Sequence, residues 1–381
     1  MTETLKGVPD FRTPYYLYHK DTLRDTLETL KRAVENDGDF VVHYAVKAND
    51  NPDVMKFISS YSLGADCVSG GEIEKAVSCG FSPEKIVFAG VGKRDDEIET
   101  AIRSNIFSLN VESLQEIEVI NEIALKMNAV APVAIRVNPN IDAHTHEKIT
   151  TGTEENKFGI ALADVMPTAR EILAMKGLKF RGLQFHIGSQ ITEYTCFEEL
   201  CDVANKLADE LKAQGIGCGM IDVGGGLGID YENPTENPIP DFQGYFSTFR
   251  NCLKLPAGTK VHFELGRSIV AQCGDLITKV LYTKHTAHKK FAIVDAGFTD
   301  LIRPALYGAY HDIENLSNNC TEKEAYDIVG PICESSDVFA KDRAISPAKR
   351  GDFLAIHSAG AYGEVMASTY NSRPLIKGYL V

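Results

Sequence analysis

Several features that would place this chain in other classes of protein are missing from its sequence. No apolar run reaches the length of a membrane-spanning helix, and Met1 to Lys6 lack the apolar core of a signal peptide. The net charge of −14 argues against nucleic acid or an anionic membrane as a partner. The nine cysteines are odd in number and show no paired metal-type spacing. We therefore expect reduced thiols, a cytoplasmic location and no metal site.

What the sequence does contain is a long alternation of strand-like and helix-like segments. Its 381 residues are too many for one ordinary core and indicate two domains. Between residues 39 and 264, eight apolar runs alternate with segments of helical spacing, which predicts an α/β fold, the (β/α)8 TIM barrel. The predicted strands cover residues 41–49, 63–67, 85–88, 106–109, 131–137, 178–185, 219–223 and 260–264.

The helical spacing ends after Arg267, and the remaining chain indicates a second, mainly β domain. An early apolar segment, residues 15–18, is expected to pair with it. We therefore place the barrel at residues 24–266 and the second domain at residues 1–23 and 267–381. Strands of the second domain are expected at Val270, at Cys273 and over residues 276–280, 291–294, 326–332 and 353–356.

Polar and glycine residues gather where the predicted barrel strands end. The chemistry of such barrels lies at these carboxyl ends, on the loops that follow the strands. A random scatter of polar residues would not favour the ends over the starts. The residues found there are Lys47, Asp66, Arg136, His186, Ser189, Gly224, Gly225, Gly226, Glu264, Gly266 and Arg267.

Lys47 is unusual because it ends a buried strand. Burial disfavours the charged ammonium, and a deprotonated lysine is a nucleophile that forms Schiff bases with carbonyl compounds. A lysine whose ammonium reaches solvent past the strand end would explain the same pattern. The residues at the neighbouring strand ends favour the nucleophile.

The neighbouring strand ends suit a phosphorylated pyridine ring. Gly224 to Gly226 expose backbone N–H groups that can cradle a phosphate, and Arg267 can clamp it. Glu264 can keep a pyridine nitrogen protonated, and the His186 ring can stack on the pyridine. Taken singly, a triple glycine is more often a tight turn. A lone histidine or glutamate more often has its hydrogen bonds met by neighbouring residues and serves only the structure. Together with Lys47 they indicate pyridoxal 5′-phosphate.

The second domain adds its own candidates. Arg303 lies four residues before Tyr307, and an arginine is suited to binding a carboxylate through two hydrogen bonds. Cys333 lies beside Glu334, and a thiol held near a carbanion could supply a proton. A small-residue loop presents Tyr362. The alternatives are an exposed arginine, an inert cysteine and a plain turn with a surface aromatic.

With these residues in view, the chain resembles the alanine-racemase-like, fold-type III PLP-dependent decarboxylases. The resemblance runs from about Pro14 to Pro374 and depends on seven ordered motifs. These motifs are Tyr44–Asn49, His186–Gln190, Gly224–Gly228, Glu264–Arg267, Asp295–His311, Cys333–Ser335 and Ala361–Gly363.

The resemblance implies a role for each matching residue. Lys47 would form the Schiff base with the cofactor, His186 would stack on its ring, and Glu264 would pair with its nitrogen. Asp66 and Arg136 would support these residues, and Cys333 would donate a proton from the other subunit of a homodimer. The phosphate would be held by Ser189, Gly224, Gly225, Gly226, Gly266, Arg267 and Tyr362. Substrate would be bound by Arg267, Arg303, Tyr307, Glu334 and Tyr362.

The charges of the substrate residues indicate which amino acid is decarboxylated. Arg303 with Glu334 matches a distal carboxylate together with an ammonium, so we hypothesise conversion of meso-2,6-diaminopimelate to L-lysine and CO2. A decarboxylase of ornithine, lysine or arginine remains an alternative, as does a non-catalytic relative that binds a partner protein. Glu264 argues against an amino-acid racemase, which typically has an arginine at the pyridine nitrogen. Residues 138–158 are expected to hold a mobile active-site loop.

Overall fold

The computed structural model describes residues 12–141 and 157–381. Strands and helices alternate through the first two thirds of the chain. In order they are β1 (Tyr15–Tyr18), α1 (Lys20–Val34), β2 (Phe40–Ala45), α2 (Pro52–Ser59), β3 (Gly64–Cys67), α3 (Gly70–Ser78), β4 (Ile86–Phe88), α4 (Asp95–Arg103), β5 (Ser108–Val111), α5 (Leu114–Lys126), β6 (Ala131–Asn138), β7 (Ile160–Ala161), α6 (Val165–Ala174), β8 (Leu178–Gln184), α7 (Thr195–Ala213), β9 (Met220–Asp222), α8 (Phe242–Cys252) and β10 (Lys260–Leu265).

Eight of these strands close a parallel barrel. They pair in chain order, and the last, β10, pairs back with the first, β2. The short strand β7 pairs only with the end of β6 and is not part of the closed ring. The predicted (β/α)8 barrel is therefore confirmed.

Two predicted barrel strands differ from the observed strands by more than one residue at an end. The first strand stops at Ala45, and Val46–Ala48 form a short 3-10 helix because the Asn49 N–H turns back to bond the Val46 carbonyl at 3.1 Å. The fourth strand was placed at residues 106–109 but covers Ser108–Val111. The Ile106 N–H instead closes α4 by bonding the Ala101 carbonyl at 3.4 Å. Some residues that would be assigned to strands from their apolar character alone therefore lie in local turns.

Polar caps begin several barrel helices directly after the strand ends. The Asn51 side chain accepts hydrogen bonds from the N–H groups of Asp53 and Val54 and begins α2, with a proline at the first helical position. Ser69 accepts from the Glu72 N–H at the start of α3. Each cap stabilises its helix by about 1 kcal/mol and keeps the strand-end loop short.

An aromatic cluster joins α8 to the barrel wall. Phe246, Phe249 and Tyr245 project from one face of α8, because their spacing of three and four residues lies on one side of a helix. All three contact Phe263 of β10, with ring centroids 4.9, 5.3 and 5.9 Å away. Edge-to-face pairs of this kind add about 0.5–1.5 kcal/mol each to the free energy gained by burial. The cluster therefore anchors the strand that carries Glu264.

The last third of the chain is mainly β, as predicted. Its sheet has the order β13-β16-β11-β12-β14-β15. The elements are α9 (Arg267–Val270), β11 (Gly274–His285), β12 (Lys290–Val294), α10 (Arg303–Tyr307), β13 (Ile313–Asn315), β14 (Glu324–Val329), β15 (Val338–Ile345), β16 (Phe353–Ile356) and β17 (Gly378–Leu380).

The early strand joins this sheet. β1 pairs antiparallel with β11 and parallel with β17, which confirms the expected partner of residues 15–18. The strands expected at Val270 and Cys273 were wrong: Val270 belongs to the short helix α9, whose backbone bonds continue to Ala271, and Cys273 precedes β11. The strand expected over residues 326–332 ends at Val329, because the chain turns at Gly330 and Pro331.

The described residues group into two compact units. One unit, the barrel unit, is Leu27–Gly228 with Asp241–Gly266. The other, the β unit, comprises the described residues up to Thr26, Ile229–Pro240 and Arg267–Val381. Within residues 12–141 and 157–381, no helix combines the length and the apolar character that crossing a bilayer requires.

Candidate active site

Lys47 lies in the 3-10 turn after β2. The Tyr44 hydroxyl donates a 2.7 Å hydrogen bond to the Asn49 carbonyl and fixes this turn. The lysine Nζ donates to Oδ2 of Asp66 at 2.7 Å, and Asp66 is fully buried in β3. Oδ1 of Asp66 has no hydrogen-bond partner among the described residues. A buried carboxylate therefore holds the amine through one of its two oxygens.

Glu264 lies near the end of β10, inside the barrel. It accepts hydrogen bonds from Asn110 Nδ2 at 3.4 Å and from Gln184 Nε2 at 3.1 Å. Burial raises the pKa of Glu264 well above its ordinary value, and the charges of Asp222 and Asp66 raise it further. Burial likewise raises the pKa of Asp222 to about 7. Asp222 and Glu264 thus attract protons or cationic partners.

His186 and the glycine loop pack together at the ends of β8 and β9. The Gly225 N–H donates to His186 Nδ1 at 3.3 Å, and the Gly224 N–H donates to Asp222 Oδ1 at 2.8 Å. Burial lowers the pKa of His186 well below its ordinary value, so its ring is neutral. A Cβ on Gly224 would collide with the Phe185 carbonyl, and a Cβ on Gly225 with the Glu264 carbonyl. The close approach of these backbones requires glycine.

The loops after β8 and β9 are bonded to each other. The Ile191 N–H donates to the Gly226 carbonyl, and the Gly228 N–H donates back to the Ile191 carbonyl, both at 2.8 Å. Ser189, two residues before Ile191, is therefore carried on a loop that is fixed to the glycines. Gly266 follows β10, and a Cβ there would press on the side chains of Ala45 and Ala48. Its small size brings the end of β10 against the turn that carries Lys47.

Arg136 pairs with a residue that the sequence analysis did not single out. Its Nη1 donates to Glu112 Oε1 at 2.9 Å, and both side chains are buried. Glu112 also accepts the Gly90 N–H at 3.1 Å and the Gly159 N–H at 3.0 Å. The guanidinium carbon of Arg136 lies 4.5 Å from the centre of the Phe158 ring. Glu112 thus forms hydrogen bonds with the loops that carry Gly90 and Gly159 and with the buried side chain of Arg136.

The barrel unit has a second lysine beside these residues, Lys93, and only 1% of its side chain is exposed. Its Nζ donates to the Gly90 carbonyl at 2.8 Å, the Asn110 carbonyl at 2.6 Å and Glu116 Oε1 at 2.7 Å. An ammonium has three N–H donors, and all three are used. Lys93 is therefore held as a structural cation, whereas the Lys47 side chain is 36% exposed.

A cavity of about 360 Å³ opens among these residues. Its lining combines an amine, a buried acid, a neutral histidine and an arginine, which is the donor set expected for pyridoxal phosphate. Asp66 does not line the cavity but holds the amine of Lys47, which does. The residues present fit the cofactor. The lining includes Lys47, Ala89, Gly90, Lys93, Arg136, Phe158, Gln184, His186 and Glu264.

A histidine pair lies deeper in the same barrel. His43 Nδ1 is 3.0 Å from the Lys85 carbonyl, which can only accept, so His43 carries its proton on Nδ1. Its Nε2 therefore accepts from His262 Nδ1 at 2.8 Å. These residues and Asp222 offer ligand-type atoms within 4.8 Å of one another, but both ring nitrogens of His43 are already used. Hydrogen bonding alone accounts for the pair.

The β unit gathers two buried arginines around tyrosines. Arg267 Nη1 donates to the Tyr231 hydroxyl at 2.6 Å, and its guanidinium carbon lies 5.0 Å from the Tyr362 ring centre. The guanidinium carbon of Arg303 lies 4.8 Å from the Tyr231 ring centre. Tyr362 has φ of +56°, a conformation that is rare for a large side chain and typical of functional sites. Tyr307, at the end of α10, is half-buried.

Cys333 and Glu334 lie on an exposed loop of the β unit. The loop is fixed because Asp337 accepts the Ile332 and Phe298 N–H groups, both at 2.7 Å. Glu334 Oε1 accepts a 2.7 Å hydrogen bond from the Tyr370 hydroxyl. The thiol and the carboxylate are therefore presented outward from a rigid base.

Several residues of the site were missed by the sequence analysis. Glu112 directly follows β5 and Gln184 ends β8, so the strand-end rule that identified Lys47 would also have found them. Lys93, Tyr231 and His311 follow no such rule. Of the loop expected at residues 138–158, residues 142–156 lie outside the described part of the chain.

Comparisons with known proteins agree with this geometry. Residues 21–271 match the family described as pyridoxal-dependent decarboxylase, pyridoxal binding domain. Diaminopimelate decarboxylase of Bacteroides thetaiotaomicron is 55% identical over 97% of this chain and 95% of that protein. A crystal structure of diaminopimelate decarboxylase from Helicobacter pylori complexed with L-lysine is 41% identical, with a TM-score of 0.92 over 98% of this chain and 92% of that one. The enzyme from M. jannaschii in complex with L-lysine is 36% identical, with a TM-score of 0.90 over 99% of this chain and 89% of that one.

Proposed function

Because the chain belongs to the diaminopimelate decarboxylase family of pyridoxal-dependent decarboxylases, we propose that it converts meso-2,6-diaminopimelate to L-lysine and CO2, the last step of lysine biosynthesis. The observation that carries the proposal is the barrel site itself. Lys47 is held by buried Asp66, and Glu264 is buried within the same barrel unit. An amine and a buried acid in one barrel are what a pyridoxal-dependent decarboxylase needs.

The cofactor is pyridoxal 5′-phosphate. When bound, it supplies an electron sink for the electron pair left by the departing CO2. Lys47 would hold the cofactor through its amine, and Glu264 would face its ring nitrogen. His186 is neutral, so its ring can stack on the pyridine without adding charge. Asp66 supports the site with a carboxylate whose charge favours cationic nitrogen.

The phosphate is assigned to the residues that the family resemblance implies for it. Ser189, Gly226 and Gly266 supply small loop positions, and Arg267 with Tyr362 supplies charge and a ring face. Gly224 and Gly225 contribute through shape, since their N–H groups already donate to Asp222 and His186.

Substrate recognition requires one cation and one acid for the distal end of diaminopimelate. Arg303 is buried and Glu334 is exposed on a fixed loop. We assign the distal carboxylate to Arg303 and the distal ammonium to Glu334, with Arg267, Tyr307 and Tyr362 completing the contacts to substrate. Ornithine and lysine lack a second carboxylate, so Arg303 would disfavour them.

The final proton is assigned to Cys333 of the partner subunit in a homodimer. Cys333 is exposed in the described chain, as expected for a residue that acts at a subunit interface. In this proposal the barrel of residues 24–266 binds the cofactor, and the second domain, residues 1–23 and 267–381, contributes to the dimer interface. Nine free cysteines agree with a cytoplasmic, reducing location.

The test measures cofactor attachment and substrate choice on the purified protein. Borohydride should trap the cofactor on Lys47, where mass spectrometry would locate it, and the Lys47→Ala variant should lose this label. CO2 release is then followed with meso-diaminopimelate, L-lysine, L-ornithine and L-arginine. Release from diaminopimelate alone supports the proposal. Release from a basic amino acid instead would reassign the substrate, and no release with added cofactor would remove the enzymatic function.

A further inference from the structure

Arg303 is a buried cation whose side-chain hydrogen bonds go to a histidine and a tyrosine rather than to a carboxylate. It is only 6% exposed, and its Nη1 lies 2.8 Å from His311 Nε2. Among the described residues, no carboxylate forms an ion pair with it. Burying a guanidinium without an acid is unfavourable, so the arrangement needs an explanation.

The hydrogen bonds fix the protonation state of His311. Its Nδ1 lies 2.8 Å from the His357 carbonyl, which can only accept, so Nδ1 carries the proton. A guanidinium can only donate, so Nε2 must present its lone pair to Arg303. His311 is thus neutral. Burial and the charge of Arg303 support this state by lowering the pKa of His311 to about 3.

Tyr231 completes a clamp that carries no charge. Its ring covers the Arg303 guanidinium at 4.8 Å and meets the His311 ring edge-on, with centroids 5.3 Å apart. It lies in Ile229–Pro240, the segment after β9 that belongs to the β unit. A π face and an imidazole lone pair orient a guanidinium without neutralising it. A carboxylate in either place would orient it and cancel its charge.

We propose that His311 and Tyr231 are positioning residues that present Arg303 as an un-neutralised cation to the second carboxylate of the substrate. This inference rests on the proposed function and adds the source of its specificity. The role is narrow: it concerns the carboxylate of the distal end and not the amine that is attached to the cofactor. Two ligands distinguish recognition of the distal carboxylate from recognition of the amine. L-lysine keeps the distal carboxylate, and 1,5-diaminopentane lacks it.

A matched pair of variants tests the need for a neutral acceptor. Glutamine and glutamate have the same shape, so His311→Gln keeps a neutral acceptor and His311→Glu introduces a carboxylate next to Arg303. Binding of L-lysine and of 1,5-diaminopentane to the cofactor-loaded protein is measured by calorimetry. In His311→Gln, the Kd of L-lysine should stay within about threefold of the wild-type value, and in His311→Glu it should rise about tenfold or more. The Kd of 1,5-diaminopentane should not change in either.

A merely structural role for His311 gives a different result. His311→Glu would then bind L-lysine as tightly as His311→Gln, or both ligands would weaken together, and either outcome overturns the inference. If the His311 variants do not fold, Tyr231→Phe and Tyr231→Leu replace them. Both variants lose the hydroxyl that accepts from Arg267, but the phenylalanine keeps the ring over Arg303, so the Kd of L-lysine should rise more in Tyr231→Leu than in Tyr231→Phe, and the Kd of 1,5-diaminopentane should be the same in both. Unchanged L-lysine binding in Tyr231→Leu also overturns the inference.

The binding assay is independent of the proposed function. CO2 release from diaminopimelate by the wild-type protein tests the reaction, and the two Kd values test the positioning of Arg303. A protein that decarboxylates diaminopimelate but fails the His311 comparison keeps its function and loses the inference. A wild-type holoenzyme that does not bind L-lysine more tightly than 1,5-diaminopentane loses the inference as well.

Discussion

The residues assigned to cofactor and substrate in the two units include buried groups of opposite charge. The barrel unit buries the carboxyl groups of Asp66, Asp222 and Glu264. The β unit buries the guanidinium groups of Arg267 and Arg303, and the partners described for them are tyrosines and a histidine. Asp222 and Glu264 therefore favour protons or cationic nitrogen, and the two arginines favour anions. A pyridoxal phosphate enzyme binds both kinds of group, the nitrogens of cofactor and substrate and their phosphate and carboxylates.

The two regions also differ in how their residues are held. The acids of the barrel lie on strands β3, β9 and β10, which the closed sheet fixes. The arginines lie at the starts of two short helices, α9 and α10, and depend on side-chain contacts for their direction. A change in the barrel should therefore act on chemistry, and a change in the β unit on recognition. The predictions below test this division.

The largest effect is expected at Lys47. Lys47→Ala removes the amine that would hold the cofactor, so decarboxylation should fall by at least about 10⁴-fold. Lys93→Met is the matched control, because Lys93 lines the same cavity with all three of its N–H donors engaged. It should lower the melting temperature while the borohydride label stays on Lys47. A borohydride label on Lys93 in the Lys47→Ala variant would contradict the assignment of Lys47 as the residue that holds the cofactor.

Glu264 should affect turnover and not binding. Glu264→Gln keeps the size of the side chain but cannot carry a charge opposite the ring nitrogen, so kcat should fall by about 10²–10³-fold. KM for diaminopimelate should change little, because the substrate residues lie elsewhere. Steady-state kinetics with diaminopimelate separates the two quantities. A kcat within threefold of the wild-type value, or a loss confined to KM, would show that the ring nitrogen does not depend on this acid.

The strand ends could be predicted from sequence because two simple patterns coincide there. Lys47, Asp66 and Glu264 each follow a short apolar run, and parallel strands bring their ends to one edge. Burial then explains the raised pKa of Glu264 without further information. The 3-10 turn that carries Lys47 was not predictable, since Val46 and Ala48 are as apolar as the strand before them. The turn depends on the Asn49 backbone bond, which sequence does not reveal.

The β unit was harder to predict because its contacts join distant segments. Tyr231 belongs in sequence to a barrel loop, yet its ring covers Arg303. His311 looks like any histidine in a turn until both of its ring nitrogens are assigned partners. The chain-wide charge of −14 also gives no hint of two buried arginines. Such contacts depend on how segments far apart in the sequence come together in the β unit. The sequence of this unit has no regular repeat that would reveal this arrangement.

Arg303 should determine recognition of the distal carboxylate. Arg303→Met removes the cation, and KM for diaminopimelate should rise by about 30- to 100-fold, or about 2–3 kcal/mol, with a smaller change in kcat. Arg303→Lys keeps the charge but loses the planar group that meets Tyr231 and His311, so it should recover only part of the loss. Initial rates over a range of diaminopimelate concentrations give both constants. A wild-type KM in Arg303→Lys would mean that charge alone suffices, and equal KM values for the two variants would mean that charge without the planar group contributes nothing.

The last prediction concerns stability and its pH dependence rather than activity. Folding raises the pKa of Asp222 from 3.8 to about 7 through burial, so the folded state binds its proton more tightly than the unfolded chain. Its contribution to stability is therefore complete below the unfolded pKa and is lost as pH rises through the folded pKa. Asp222→Asn keeps an acceptor for the Gly224 N–H, and it should stabilise the cofactor-free protein by about 1–2 kcal/mol at about pH 8.

Asp275 of the β unit is the control with the opposite sign. Burial alone would raise its pKa, but His357 and His19 lower it below its ordinary value. Its stabilisation is present above the unfolded pKa and is lost as pH falls, so Asp275→Asn should destabilise the protein at neutral pH by about 3–5 kcal/mol. Urea unfolding of both variants at about pH 5 and about pH 8 distinguishes the signs. If both substitutions shift stability in the same direction, the histidine partners of Asp275 do not reverse the effect of burial, and this contrast between the two aspartates is wrong.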